Sequence, residues 1–279
     1  MGNKLPVAIQ VYGLRDILEN TPDDFEKVMT QVKDLGYDGV ELAGLYGLKP
    51  SYVKAVLDEV GLVPVSAHVA FAEMVENIDQ VIEDYSMIGV RYLVMPYMAE
   101  EYRPVNPEGF EGFLPLLIEI GRKVSEAGMT LLYHNHDFEF VRMENGAWGY
   151  DVMFDAVPHD YLMSELDTCW CDVATGQPVE FIRKYTNRIP VVHLKDYIKK
   201  GKVKNMYDLI GIDKKASGEE AGSFEFRPVG FGQMLWEPVL QAALDANAEW
   251  VVVEQDKHYE LAPLECARRS REYLKILGW

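Results

Sequence analysis

The sequence predicts an α/β protein, a single (β/α)8 TIM barrel that spans residues 1–279. Short apolar runs alternate with segments of helical period, and both kinds of segment occur eight times along the chain. Such alternation is typical of parallel strands joined by right-handed crossovers, and eight units of this kind close into a barrel. Because no Gly-x-Gly-x-x-Gly motif follows the first apolar run, the pattern does not favour a dinucleotide-binding sheet.

Each predicted strand is a short run rich in Val, Ile, Leu or Tyr. The runs lie at residues 7–12, 39–43, 64–69, 92–97, 130–136, 162–168, 191–196 and 250–256. The predicted helices lie at residues 23–35, 51–60, 74–88, 110–127, 150–156, 179–184, 234–246 and 263–277. Gly36, Gly61, Gly89 and Gly128 stand where left-handed C-terminal caps are needed. The longest irregular stretch, residues 197–233 after strand seven, is predicted to be a lid over the site.

Composition limits the classes of function. The chain is 48% hydrophobic and carries a formal net charge of −18, which disfavours binding to a nucleic-acid backbone. A short basic run at residues 199–204 is interpreted as a solvated loop. No apolar stretch is long enough for a membrane helix, and the first residues lack a signal core. The three cysteines, Cys169, Cys171 and Cys266, suggest no disulfide framework, so we expect a cytoplasmic protein. The expected partner is a small-molecule substrate.

Ionisable residues gather where the later strands end, and this position is the mouth of a parallel barrel. The inward-facing positions are Leu132, His134 and His136; Met163, Glu165 and Asp167; Val191, His193 and Lys195; Val252, Glu254 and Asp256; with Glu41, Ser66 and His68 on strands two and three. Isolated buried charge is costly, so the set predicts a divalent cation.

The predicted metal ligands are His134, Asp167, His193 and Glu254. Mixed imidazole and carboxylate ligands suit Mn, Co, Fe or Zn better than Ca. The alternative is a network of hydrogen-bonded His–carboxylate pairs that holds no metal. Glu165 lies level with His134 on the neighbouring strand and is expected to accept the other ring N–H of that histidine.

Further candidates surround these ligands. His136 is assigned to substrate contact or proton transfer, and Glu139 is either a base or a solvated loop residue. Lys195 either holds a substrate oxygen or forms a salt bridge with Asp196 or Asp256. The candidate substrate-binding residues are His68, Arg15, Tyr12, Glu41 and Asp256. For Arg15 the alternative is a rim salt bridge with Asp16 or Glu41.

Four late segments, residues 131–140, 165–170, 192–196 and 252–256, together resemble the sugar phosphate isomerase/epimerase family, of the xylose isomerase-like TIM barrel superfamily. The resemblance implies one divalent metal bound by Glu, Asp, His and Glu on strands five to eight. Asp167, His193 and Glu254 match the last three of these positions, while His134 stands where the family has its first Glu. The His-rich fifth strand is instead similar to that of inosose dehydratases and related lyases.

The resulting hypothesis is a metal-dependent isomerase or epimerase that acts on a sugar, keto-sugar or cyclitol through an enediolate. Mn is the expected ion, with Co, Zn, Fe or Mg possible in its place, and Glu254, His136 or Glu139 is the expected base. A dehydratase or another lyase would share the enediolate. The sequence is also compatible with a sugar-binding barrel without catalysis, and with a glycosidase that uses Glu165 and Glu254. The resemblance further suggests a homo-oligomer.

Overall fold

Eight parallel strands close into a barrel in the computed structural model, which describes residues 4–18, 22–201 and 222–279. The barrel strands are β1 (Val7–Gln10), β2 (Gly39–Ala43), β3 (Val63–His68), β4 (Tyr92–Met95), β5 (Thr130–His134), β6 (Met163–Asp167), β7 (Val191–Leu194) and β10 (Trp250–Val253). β10 pairs with both β1 and β7, which completes the ring. The predicted fold class is therefore confirmed.

Helices surround the barrel between successive strands. They are α1 (Pro22–Leu35), α2 (Pro50–Val60), α3 (Phe71–Ile88), α4 (Pro107–Glu126), α5 (Gly149–Ala156), α6 (Thr168–Thr175), α7 (Pro178–Lys184), α8 (Trp236–Asp245) and α9 (Pro263–Ile276). Gly61 and Gly89 end α2 and α3 with φ of 76° and 95°, in the left-handed conformation that their positions predicted. The sequence interpretation missed α6, which begins directly after β6 with Asp167 as its N-cap.

The segment that follows β7 differs from the prediction. Residues 197–233 were expected to be irregular, but β8 (Asp196–Lys200) and β9 (Ser223–Arg227) form an antiparallel two-stranded sheet. The prediction was wrong here because aromatic residues of this segment are buried against the barrel mouth, which stabilises strands. Residues 202–221 of the expected lid, including Lys202 and Lys204, lie outside the described residues.

The strand ends also need correction. Every predicted strand except the second ends one to three residues earlier than expected, because strand pairing stops there. His136, Lys195, Glu254 and Asp256 therefore lie in the connections directly after β5, β7 and β10. The site is thus built partly from strand ends and partly from the first loop residues.

The barrel interior contains an apolar layer near the amino ends of the strands. Its members are Ala8, Val65, Tyr92, Val94, Leu132, Val191 and Val252, all of them buried. A larger apolar core fills the space between the strands and the helices. Among the described helices, none is long and apolar enough to cross a membrane. The apolar layer fills the lower part of the barrel, and the ionisable residues lie above it, towards the carboxyl ends of the strands.

Candidate metal centre

A cavity of about 410 Å³ opens at the carboxyl ends of the strands. Seven of the predicted site residues line it: Tyr12, His68, His134, His136, Lys195, Glu254 and Asp256. Its position agrees with the usual location of sites in barrels of this type. Of the predicted metal ligands, His134 and Glu254 line the cavity, Asp167 and His193 lie next to them, and all four are at most 4% exposed.

The four predicted ligands converge on one point. His134 Nε2 lies 3.6 Å from Asp167 Oδ2 and 3.9 Å from Glu254 Oε2. His193 Nδ1 lies 2.8 Å from Glu254 Oε2, and one ligand atom from each of the four residues lies within 4.8 Å of the others. These separations are compatible with atoms that share one ion.

Asp167 supports a metal in particular. Its Oδ1 atom accepts a hydrogen bond of 3.0 Å from the backbone N–H of Trp170 at the start of α6. Its Oδ2 atom is buried and has no hydrogen-bond partner among the described residues. Lys195 Nζ and His134 Nε2 lie 3.5 Å and 3.6 Å from Oδ2, so this buried oxygen has ionic neighbours but no hydrogen bond, and a cation at this position would offset the cost of burying it.

Two carboxylates support the imidazoles from below. Glu165 Oε2 lies 3.0 Å from His134 Nδ1, 3.1 Å from His193 Nε2 and 2.8 Å from His68 Nε2. Glu41 Oε1 lies 3.0 Å from His193 Nε2. His134 and His193 therefore each direct one ring nitrogen to a carboxylate and the other to the four-ligand centre. The expected pairing of His134 with Glu165 is confirmed by this contact.

A second group, formed by His68, His134, Glu165 and His193, is also close enough to hold an ion. In this group, however, Glu165 Oε2 already lies within hydrogen-bond distance of three imidazole nitrogens. Glu165 is therefore better described as the hydrogen-bond acceptor that the three imidazoles share. In the group that contains Asp167 and Glu254, Glu254 Oε2 has one such contact, with His193 Nδ1 at 2.8 Å, and Asp167 Oδ2 makes no hydrogen bond with the described residues, so this group is the stronger metal candidate.

The charges of the site are tightly linked. Burial alone would lower the pKa of His193, but the Glu165 and Glu41 carboxylates raise it well above its usual value. Burial opposes ionisation of Glu254, yet the Lys195 ammonium holds the pKa of this carboxyl well below its usual range. The acidic centre thus favours nearby positive charge, as a dication site requires.

Lys195 lies at the centre of a buried ionic cluster. Its Nζ atom is 2.6 Å from Asp256 Oδ2, 3.1 Å from Glu254 Oε1 and 3.5 Å from Asp167 Oδ2. The salt bridge with Asp256, one of the two partners suggested by the sequence, is present. The salt bridge with Asp196 is not, because the Asp196 carboxylate binds backbone N–H groups elsewhere. Lys195 nevertheless lines the cavity, so pairing and substrate contact are compatible.

His136 and Glu139 have different surroundings. The His136 ring lines the cavity, stacks on Phe138 with the ring centroids 5.2 Å apart, and has a pKa that burial lowers well below the usual value. Glu139 is fully buried behind β5, where its oxygens accept hydrogen bonds from the Tyr133 hydroxyl and the His136 backbone N–H. Glu139 is therefore neither a solvated loop residue nor part of the cavity wall.

Arg15 and Glu41 also lie outside the cavity wall. Arg15 Nη1 donates to the backbone carbonyls of Tyr12 and Asp256, both at 2.8 Å, and so joins two loops of the mouth. Glu41 is fully buried and accepts hydrogen bonds from Gln10 and from the Ser66 hydroxyl. The structure thus gives Arg15 and Glu41 supporting positions, whereas Tyr12, His68 and Asp256 reach the cavity.

Comparison with known proteins identifies the family. A family model described as xylose isomerase-like TIM barrel matches residues 29–277. The chain belongs to this family.

Individual relatives of this xylose isomerase-like chain are more distant. It is 28% identical over 173 residues to an inosose dehydratase of Clostridium perfringens, a match that spans 61% of this chain and 56% of that protein. A sugar phosphate isomerase/epimerase of Parabacteroides distasonis shares the fold with a TM-score of 0.76 and 19% identity, over 98% and 94% of the two chains. A xylose isomerase-like barrel protein of Mycobacterium smegmatis, solved in complex with magnesium, shares the fold with a TM-score of 0.69 and 17% identity. The match covers 98% of this chain and 96% of that chain.

Several residues of the site were missed by the sequence interpretation. Tyr97 and Glu73 line the cavity from the segments after β4 and β3. Trp170 packs against His136 and lies on α6, the helix that was not predicted. Asp196 was considered only as a partner of Lys195. Its position one residue after an inward-facing lysine could have shown that it faces the other way.

Proposed function

We propose that this xylose isomerase-like barrel is a divalent-metal-dependent enzyme that isomerises or epimerises a sugar, keto-sugar or cyclitol. The observation that carries the proposal is the convergence of His134, Asp167, His193 and Glu254 beside a cavity, where Asp167 Oδ2 makes no hydrogen bond within the described part of the chain. The substrate is a small molecule that enters at the mouth. A single domain over residues 1–279, a cytoplasmic location and a homo-oligomeric assembly belong to the same proposal.

A bound ion, for which Mn is the first candidate, would polarise neighbouring carbonyl and hydroxyl oxygens and so acidify the proton between them. The magnesium of the Mycobacterium smegmatis neighbour is compatible with this assignment. Glu254, whose pKa is held well below the usual range, is ionised and can accept this proton. His136 is the second candidate base, because its ring faces the cavity and burial keeps it neutral by lowering its pKa.

Lys195 and Asp256 complete the proposed machinery. Lys195 lines the cavity with its ammonium 3.1 Å from Glu254 Oε1, so it would donate a hydrogen bond to a substrate oxygen that gains negative charge beside this base. Asp256, 2.6 Å from Nζ, keeps the ammonium in this place. Glu139 is not proposed as the base, because both of its oxygens already accept hydrogen bonds behind β5.

Dehydration is the second candidate reaction. It is favoured by the similarity to inosose dehydratases and by His134, the imidazole on β5 that contributes to the centre. Loss of a hydroxyl next to the deprotonated carbon would begin with the same proton transfer. The residues assigned above therefore serve either reaction.

Exchange of the α-proton with deuterated solvent tests the proposal. Keto-sugars and inososes are incubated with the protein and added Mn in deuterated buffer, and proton loss is followed by nuclear magnetic resonance. We expect exchange with at least one compound, and none after removal of the metal by a chelator. Binding without exchange would instead support a sugar-binding barrel. Hydrolysis of an aryl glycoside that is insensitive to chelator would support a glycosidase.

A further inference from the structure

Asp196 is a buried carboxylate that the proposed reaction does not use. It follows Lys195 directly, and its side chain lies on the opposite face from that of the lysine. Its Oδ1 atom accepts the backbone N–H groups of Tyr197 at 2.9 Å and Met234 at 3.1 Å. Its Oδ2 atom accepts Gly230 N–H at 2.9 Å, Gly232 N–H at 3.0 Å and Trp236 Nε1–H at 3.0 Å. Asp196 thus binds five donors.

Four of these donors belong to residues 230–236, which comprise the end of the connection between β9 and α8 and the first residue of α8. The backbone is adapted to the carboxylate: Gly230 has φ of 87°, and any side chain at Gly232 would collide with Asp196 Oδ1. One carboxylate therefore fixes the end of β7 and the return of the two-stranded sheet to the barrel. Charge-assisted hydrogen bonds of this kind are among the stronger ones in proteins.

The two-stranded sheet held in this way covers Lys195. The Phe226 ring centroid lies 5.0 Å from Lys195 Nζ, and the Trp170 ring lies 5.6 Å from it. Phe224 stacks on Trp170 with the ring centroids 5.7 Å apart and on Tyr197 at 5.0 Å. With these rings in place the lysine is only 1% exposed. Phe224 and Phe226 of this wall, with Tyr197, thus come from the sheet that Asp196 anchors, and Trp170 comes from α6.

We propose that Asp196 is a positioning residue that keeps the β9 aromatic wall over Lys195, so that the ammonium stays dry and directed at Glu254 and Asp256. The kinetic part of this inference rests on the role proposed for Lys195 above. The structural part does not. A desolvated ammonium interacts more strongly with developing charge than a hydrated one, so loss of the wall weakens turnover more than substrate binding.

The decisive variant is Asp196→Asn, in which an amide NH2 must face N–H donors. We expect the amides of residues 230–236 to lose protection from hydrogen exchange, and Lys195 to react with acetic anhydride at least about tenfold faster, as read by mass spectrometry. In the metal-loaded enzyme, kcat should fall about tenfold or more while KM stays within about threefold. Bound metal should be unchanged.

Two further variants separate the wall from its anchor. Phe226→Leu keeps the anchor but removes the ring, and should also make Lys195 faster to acetylate. Asp79→Asn is the matched control, because it makes the same change at an exposed carboxylate whose partner is the Lys123 ammonium at 3.0 Å, away from the barrel mouth. It should behave as the wild type in every assay.

The acetylation rate of Lys195 tests the positioning role of Asp196 even if no substrate is ever found. The proposal is overturned if residues 230–236 open in Asp196→Asn while Lys195 reacts as slowly as in the wild type. If that variant does not fold, an unchanged rate in Phe226→Leu has the same meaning. Absence of proton exchange in the wild type would refute the proposed function alone, and the acetylation result would still stand.

Discussion

Two layers of the same barrel interior, only two residues apart, differ completely in chemistry. On β5, Leu132 is followed by His134, and on β7, Val191 is followed by His193. The lower layer is hydrocarbon that needs no partner, whereas the upper layer contains carboxylates and imidazoles that pair with one another and that we propose also hold a cation. Burial of the lower layer stabilises the fold, and burial of the upper layer costs stability. The strands can bear the strained centre because the layer beneath it is dry and well packed.

The variant expected to show the largest functional difference between the two layers is Asp167→Asn. The amide oxygen can still cap α6, but the group that faces His134 loses its charge, so turnover should fall by at least about a thousandfold. Steady-state kinetics with the identified substrate checks this. Val191→Ala is the matched control in the lower layer, and its turnover per folded molecule should stay within about threefold of the wild type. Comparable losses in both variants would mean that the layers are not functionally distinct.

Leu132→Ala, in the lower layer, is expected to lower stability and to leave metal binding unchanged. It leaves a cavity in the lower layer, so the free energy of unfolding should fall by about 3 kcal/mol. Chemical denaturation measures this change, and metal content per folded chain should be unaltered. If the variant lost its metal while remaining stable, packing below the centre would control the ligands directly.

Glu254→Gln tests whether this residue of the upper layer acts as the base. Loss of the ionised base should lower kcat about a hundredfold, while KM changes by less than about threefold. The measurement is initial rate against substrate concentration at saturating metal. Equal losses in turnover and in substrate binding would refute the role of Glu254 as a base.

Glu139→Gln tests a supporting residue behind β5, with the smallest effect. Burial raises the pKa of Glu139 to about 8, against an ordinary value of 4.5, so the folded state holds a proton that the unfolded state releases. Wild-type stability is therefore lost as the pH rises between these values. The variant lacks this loss and should gain roughly 1 kcal/mol relative to the wild type between pH 6 and pH 7. A difference in unfolding free energy that does not vary with pH would contradict this assignment.

The sequence predicted the barrel and the convergence of the four ligands, because strand periodicity alone sets which residues face inward. It did not predict where the strands end, since pairing depends on neighbouring strands, and it placed His136 and Lys195 on strands that stop before them. The roles of Arg15, Glu139 and Asp196 depend on hydrogen-bond partners that periodicity does not reveal, such as the Asp256 carbonyl that binds Arg15. Such contacts become visible only once the loops of the mouth are in place.

The most direct test of the central claim is the metal content of three proteins, measured by mass spectrometry after loading and dialysis. We predict one ion per chain for the wild type, almost none for Asp167→Asn, and an affinity roughly 10- to 100-fold weaker for Glu165→Gln, which only supports the ligands. The opposite order, with metal retained in Asp167→Asn and abolished in Glu165→Gln, would place the ion among His68, His134, Glu165 and His193. A wild-type protein that binds no divalent ion would contradict the proposed metal centre altogether.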